Sequence, residues 1–228
     1  LAAGVDPEKT DFLVLNGDII SFVNEIDTIV KHTVQPIVNL TDQLPLFYAR
    51  GNHETRGSDF DKVYDLFPTS TGEFYYTFRQ GPAAFVVLDA GEDKPDDHPE
   101  YSGTADYQAY RMQQTEWLKE AIKEPAFQSA PVKICIMHIP TIAHEGCWYT
   151  VRWVTENWGP ILEEAGIDLL LGGHYHRWIF SEAGQDGKNY PAVANTHLER
   201  LDVVVTPSGI EFTTYSTDGT PVHHWKNN

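Results

Sequence analysis

The chain has only two cysteines, Cys135 and Cys147, in 228 residues. That is too few for a disulfide framework, and Cys135 lies inside an apolar run that reads as buried. No uninterrupted apolar stretch reaches the roughly 18 residues needed to span a membrane. Positive charge is also scarce: 16 Lys and Arg stand against 33 Asp and Glu, for a formal net charge of −17. This balance excludes a general nucleic-acid binder, which needs a basic face, and it repels anionic substrates at long range. An acidic protein acting on phosphates would need concentrated local positive charge, which bound divalent cations supply. Internal repeats and low-complexity segments are absent. With 41% apolar and 21% charged residues, the composition is globular, and the length allows a substantial core.

What is present is a repeated arrangement. Four short apolar runs each stop at residues able to bind a metal. Phe12-Leu13-Val14-Leu15 leads into Asn16-Gly17-Asp18, and Leu44-Pro45-Leu46-Phe47-Tyr48 leads into Arg50-Gly51-Asn52-His53-Glu54. Val132-Lys133-Ile134-Cys135-Ile136-Met137 ends at His138, and Ile167-Asp168-Leu169-Leu170-Leu171 ends at Gly172-Gly173-His174-Tyr175-His176. Runs of this length read as buried strands, and parallel strands present their sites at their carboxyl ends. Asp18, Asn52, His53, His138, His174 and His176 are therefore expected along one rim.

Around these runs, apolar steps of three and four predict a helix over residues 19–40, bent or ended near Pro36. Residues 73–79 and 83–88 flank Gln80-Gly81-Pro82 as a hairpin. Helices are predicted over 105–123 and over 153–165, the second stopped by Gly166. The tail alternates as strands over 201–205 and 210–215. Strand–helix–strand units followed by antiparallel strands suggest two packed sheets covered by helices.

The donor types suit a particular chemistry. The Asp18 carboxylate can bridge two cations, Asn52 offers a neutral amide oxygen, and His138, His174 and His176 offer imidazoles. A mixed set of this kind suits Mn, Fe or Zn, whereas Mg and Ca sites are mostly oxygen. Two such ions about 3.5–4 Å apart can hold a hydroxide between them and neutralise a phosphoryl transition state. His53, directly after a ligand candidate, could act as general acid.

In order and content, Gly17-Asp18, Gly51-Asn52-His53-Glu54, His138 and Gly173-His174-Tyr175-His176 resemble the calcineurin-like metallophosphoesterases. The resemblance implies an α/β fold, a four-layer αββα sandwich of two mixed sheets flanked by helices. It also implies hydrolysis of small phosphomonoesters or phosphodiesters at a dinuclear centre, by a hydroxide bridging two divalent ions (Mn, Fe or Zn). By the same resemblance Asp18 bridges both ions, Asn52, His138 and His174 serve one, and His176 serves the other. His53 corresponds to the proton donor, and Arg50 to the position from which the family's protein phosphatases contact substrate phosphate.

Two departures from the family pattern stand out. The family's Asp-x-His motif, which precedes Gly-Asp by some tens of residues, is not in this chain. Residues 1–228 are thus expected to be one metallophosphoesterase domain without its first strand and helix, and the alternative is a metal- or substrate-binding module without turnover. Ser21, three residues after the bridging Asp, stands where purple acid phosphatases carry a metal-binding Tyr and the protein phosphatases an Asp. A metallo-β-lactamase-type enzyme also uses His-x-His but continues with an Asp-His pair, where this chain has Arg177-Trp178.

The remaining polar residues have plainer expectations. Arg50 could equally pair with Glu54, and Arg56 and the acidic loop around 93–98 are expected to be solvated. Trp148 and Tyr149 are expected to pack beneath their loop rather than stack on an aromatic substrate group. The acidic, aromatic-rich, cysteine-poor composition favours an extracytoplasmic location, periplasmic or secreted. The sequence is silent on oligomeric state.

Overall fold

Each of the four apolar runs forms a strand in the computed structural model, which describes residues 4–227. β1 (Leu13–Asn16) and β2 (Leu46–Ala49) pair in parallel, with Leu13 opposite Leu46 and Asn16 opposite Ala49. Between them lie α1 (Ile26–Ile29), a π-helical stretch (Val30–Val34) and α2 (Gln35–Leu40). The helix predicted over 19–40 is therefore shorter and irregular. Its first residues are claimed by other partners: Ile20 N–H donates to Glu54 Oε1 at 3.1 Å, and Val23 N–H to the Arg56 carbonyl at 2.8 Å. Pro36 lacks an N–H and crowds the preceding turn, which accounts for the widened π-helical segment before it.

The chain continues through α3 (Val63–Leu66), β3 (Tyr76–Gln80) and β4 (Ala83–Leu88). β3 and β4 form the expected hairpin, closed by Gly81 in a left-handed conformation at φ 54°. Next come α4 (Tyr107–Ala121), α5 (Pro125–Gln128) and β5 (Val132–Met137). They are followed by α6 (Tyr149–Asn157), α7 (Gly159–Ala165) and β6 (Leu169–Gly172). The chain ends with β7 (Ile179–Ser181), β8 (Ala192–Ala194), β9 (Arg200–Thr206), β10 (Gly209–Tyr215) and β11 (Pro221–Lys226).

The strands form a mixed six-stranded sheet in the order β3-β4-β5-β6-β8-β7, a three-stranded ladder β11-β10-β9 and the β1-β2 pair. The centre of the large sheet is parallel from β4 through β5 and β6 to β8, with antiparallel β3 and β7 at its edges. The fold is thus α/β, as expected. Among the described residues, however, only one sheet is mixed. In place of a second mixed sheet stand a parallel pair and a separate antiparallel ladder, with no hydrogen-bonded pairing that joins them.

Three apolar clusters bind these parts, and β5 shows the logic. Successive side chains of a strand face opposite sides. Cys135 and Met137 join Leu118 of α4, Val151 and Val154 of α6 and Leu162 of α7, while Ile134 and Ile136 join Ile210 and Phe212 of β10, with Val14 and Phe47 packed alongside. Both faces of the central strands are buried, which is why their sequences read as continuous apolar runs. The other side of the β1-β2 pair contributes Leu15, Leu46 and Tyr48 to a third cluster with Val23, Ile29, Val63 and Phe67.

The helix predicted over 153–165 is two helices, broken where Gly159-Pro160 follows Trp158, and Gly166 closes the second at φ 71°. Trp158 is fully buried at the break, and its Nε1–H donates to Thr115 Oγ1 at 2.7 Å. Removing so large a side chain leaves a cavity that rigid neighbours only partly fill. Trp158→Ala is expected to lower stability by about 3–5 kcal/mol, measured by chemical denaturation.

Candidate metal centre

Asp18 follows β1, Asn52 and His53 follow β2, His138 follows β5 directly, and His174 and His176 follow β6. Two strand pairs from separate ladders thus deliver their polar residues to one place. The Gly17-Asp18 and Gly51-Asn52 turns approach so closely that neither glycine can carry a side chain. A Cβ on Gly17 would lie 2.5 Å from the Gly51 nitrogen and 2.7 Å from His138 Nδ1, and one on Gly51 would overlap the Asp18 amide. Asp18, His174 and His176 themselves have φ of 50°, 68° and 54°, a left-handed conformation that non-glycine residues seldom hold. Strain of this kind concentrates at functional sites.

Asp18 Oδ2 is the focus. His138 Nε2 lies 2.9 Å from it, His176 Nε2 3.8 Å and His53 Nε2 3.9 Å. Donor atoms of Asp18, His138 and His174 all lie within 4.8 Å of one another. His174 Nδ1 is 3.1 Å from Asn52 Oδ1, which brings the amide into the same group. The structure therefore gathers all six residues expected on the rim. His176 is its most open member, with 60% of its side chain exposed.

The donors are arranged to be filled by positive charge. His138 Nδ1–H donates to the Asn16 carbonyl at 2.8 Å, so the neutral ring turns the Nε2 lone pair toward the Asp18 carboxylate. Two acceptors at 2.9 Å need a proton or a cation between them. Asp18 Oδ2, His138 Nε2 and His174 Nε2 are all buried without a hydrogen-bond partner, which buried polar groups rarely are. Burial opposes the charged form of His138, yet the Asp18 carboxylate outweighs it and raises the imidazole above its ordinary value. Burial likewise opposes the Asp18 carboxylate, but His138 and the His53 amide hold it well below the usual range. For His174, burial and then the neighbouring His138 lower the imidazole to about 4, so it stays neutral and able to bind a metal in mild acid. One carboxylate, one amide oxygen and several imidazoles fit a borderline divalent cation such as Mn, Fe or Zn.

Arg50 is buried rather than exposed. Its guanidinium is buried against Asp89, with Nε and Nη2 at 2.8 and 2.6 Å from Oδ2, and it sits 4.2 Å above the Phe74 ring. It does not form the pair with Glu54. Arg56 is not free in solvent either, since its Nε and Nη2 meet the two Glu92 oxygens at 2.6 and 2.7 Å. The acidic loop is likewise engaged: Asp93 is buried, and Asp96 accepts from Tyr107 and Gln108 N–H at the start of α4. Trp148 also departs from expectation. It is 41% exposed, with its ring 4.6 Å from the His174 ring.

The residue that sequence reasoning missed is Glu54. It is fully buried, and its carboxylate accepts from the backbone N–H groups of Asp18 (2.8 Å), Gly51 (2.9 Å) and Ile20 (3.1 Å). It thereby ties the two glycine turns together. Burial and then the Asp18 carboxylate push its carboxyl upward. The available signal was its place directly after His53 at a strand end. Glu54→Ala strands three buried donors, and partial wetting still leaves a loss of about 3 kcal/mol; thermal unfolding of the metal-free protein would register it.

The calcineurin-like phosphoesterase family model matches residues 1–178. The chain is 25% identical to the rat serine/threonine-protein phosphatase CPPED1, over 92% of this chain and 69% of that protein. Among solved structures it resembles the purple acid phosphatase PPD1 of yellow lupin, with a TM-score of 0.69, 15% identity and coverage of 96% of this chain and 46% of that one. It also resembles GAP50 of Plasmodium, described as the anchor in the inner membrane complex, with a TM-score of 0.66, 14% identity and coverage of 100% and 81%. The chain spans under half of the lupin protein and about two-thirds of the rat one. Four strand ends carrying candidate metal-binding residues, the glycine turns at two of them and the match over residues 1–178 agree: this chain belongs to the calcineurin-like phosphoesterase family.

Proposed function

We propose that the protein is a metal-dependent phosphoesterase acting on small phosphomonoesters or phosphodiesters. Asp18, Asn52, His138 and His174 would hold one divalent transition-metal ion, and Asp18 with His176 would contribute to a second. Cations bound there would supply Lewis acidity that neutralises charge on the phosphoryl group and makes water a better nucleophile. The chain's own residues do the rest. The Asn16 carbonyl fixes the His138 tautomer at 2.8 Å, so Nε2 remains the donor atom, as orienting partners of metal-bound histidines do. Glu54 holds the Asp18 turn against the Asn52 turn through three backbone N–H groups. His53 Nδ1–H donates to the Ser21 carbonyl at 3.1 Å, which orients Nε2 toward the Asp18 carboxylate at 3.9 Å. From there a protonated His53 can pass its Nε2 proton to the departing alcohol.

The observation that carries this reading is the convergence of three imidazole Nε2 atoms on Asp18 Oδ2, within 2.9–3.9 Å. Relatives described as serine/threonine-protein phosphatase and purple acid phosphatase support the same class of reaction. The test is release of p-nitrophenol from its mono- and diesters with Mn, Fe or Zn added. No release with any of the three would overturn the reading.

One observation favours a second reading, a binding module without turnover. Among the described His, Cys, Asp and Glu residues, the tight cluster of donor atoms is Asp18, His138 and His174, a set for one cation, while His176 is largely exposed. Calorimetric titration separates the two readings: two ions bound with turnover support the enzyme, and one ion without turnover supports the module.

A further inference from the structure

We propose that Trp148 is a specificity-determining residue, a stacking surface for an aromatic group on the alcohol side of the phosphate ester; this rests on the phosphoesterase reading above. The segment after β5 is anchored at several buried residues, while His144, Glu145, Gly146 and Tyr149 are exposed. Ile139, Ile142, Cys147 and Thr150 are 1%, 3%, 8% and 0% exposed, yet Trp148 among them is 41% exposed. Its backbone is held on both sides, with Cys147 N–H donating to the His144 carbonyl at 3.1 Å and Thr150 N–H to the Asp93 carbonyl at 3.2 Å. Thr150 Oγ1 adds a bond to the Glu92 carbonyl at 2.7 Å. A well-fixed backbone therefore presents a large apolar side chain to solvent, in a chain whose other tryptophans are at least partly buried.

Its position gives that exposure a use. The indole meets the His174 ring at 4.6 Å and 67° and the Tyr175 ring at 5.6 Å, so it borders a candidate metal ligand directly. A phosphoryl group bound at a cation centre held by Asp18, His138 and His174 would carry its alcohol a bond or two from phosphorus, close to a ring that already borders His174. The neighbouring Tyr149 is equally exposed but is engaged elsewhere, its hydroxyl donating to Gln108 Oε1 at 3.4 Å and its ring 5.9 Å from the Arg111 guanidinium. An uncharged aromatic group also suits a protein of net charge −17, which disfavours further anionic groups on the substrate.

The experiment compares hydrolysis of phenyl phosphate and ethyl phosphate by the metal-loaded chain and its W148A and W148F variants. Differences in leaving-group reactivity cancel when each variant is compared with wild type on the same ester. Loss of an offset or edge-to-face aromatic contact predicts that W148A loses about tenfold in kcat/KM on phenyl phosphate, with less than about twofold change on ethyl phosphate, and that W148F regains most of the loss. Equal losses on both esters would mean that Trp148 only supports His174, and no loss on either would mean that it touches neither; both results overturn the proposal. Calorimetry with phenylphosphonate and methylphosphonate gives a readout free of turnover, and W148A should abolish any preference for the phenyl compound. If wild type shows that Trp148-dependent preference but hydrolyses neither ester, the phosphoesterase reading fails and the aromatic site stands. If it hydrolyses both and the variants leave their ratio unchanged, the aromatic site fails and the phosphoesterase reading stands.

Discussion

Asp18→Asn is expected to reduce kcat/KM on phosphate esters by roughly 10³-fold or more, which corresponds to about 4 kcal/mol of transition-state stabilisation, while leaving the metal-free fold nearly intact. Asparagine is the informative replacement because Asp18 sits at φ 50°, a conformation Asn tolerates and Ala does not. Its amide oxygen can still accept from the His53 N–H, as Asp18 Oδ1 does at 3.1 Å. Its NH2 can donate to His138 Nε2 in place of the proton or cation now required between the two groups. The unfolding midpoint without metal should therefore stay within the change expected for about 1 kcal/mol. The site loses its only anionic ligand, so cation affinity and turnover fall together. Steady-state kinetics alongside thermal unfolding checks both halves. A variant that folded and bound metal normally yet kept wild-type turnover would show that Asp18 is not the shared ligand.

His53→Ala should cost about 10²–10⁴-fold in kcat, the usual range for a positioned general acid, and the loss should depend on the substrate. An alkoxide leaving group needs a proton as its bond to phosphorus breaks, whereas p-nitrophenolate departs readily without one. The loss should therefore be near the top of the range for an alkyl phosphate and much smaller for p-nitrophenyl phosphate. The geometry supports this role over that of a ligand: His53 Nδ1 is held by the Ser21 carbonyl, and Nε2 stands 3.9 Å from Asp18 Oδ2, beyond the 2.9 Å of His138. Metal stoichiometry should be unchanged in the variant. An equal loss on both esters, or loss of a bound ion, would make His53 something other than the proton donor.

Much of the candidate site was legible in the sequence because its candidate ligands follow buried strands, and buried parallel strands announce themselves as apolar runs. His138 stands directly after β5, and Asp18 and His174 follow β1 and β6 by two residues. The glycines at 17 and 51 sharpen the signal, since their backbones nearly touch. Residues whose roles depend on long-range pairing were not legible. Nothing in Arg50 or Asp89 by itself foretells a buried pair across 39 positions of sequence, and Arg56 with Glu92 is the same case. The carbonyls of Asn16 and Ser21 that orient two imidazoles belong to the backbone, so side-chain identity carries no trace of them. The helix predicted from residue 19 fails for a related reason: its apolar period is genuine, but Glu54 and Arg56 capture the first N–H groups. Strands β7 and β8 are three residues each, too short for alternation to register. The exposure of Trp148 depends on what surrounds it, which local pattern cannot reveal.

The claim beneath these expectations is that distant parts of the chain converge to bind a cation at Asp18. The most direct measurement is anomalous diffraction from crystals of the chain grown with Mn or Zn, with wild type and Asp18→Asn collected under the same conditions. An anomalous peak is expected in wild type within coordination distance of Asp18 Oδ2, His138 and His174, absent from the variant. Anomalous peaks confined to surface carboxylates, or a peak at the centre that survives the Asp18 replacement unchanged, would contradict it.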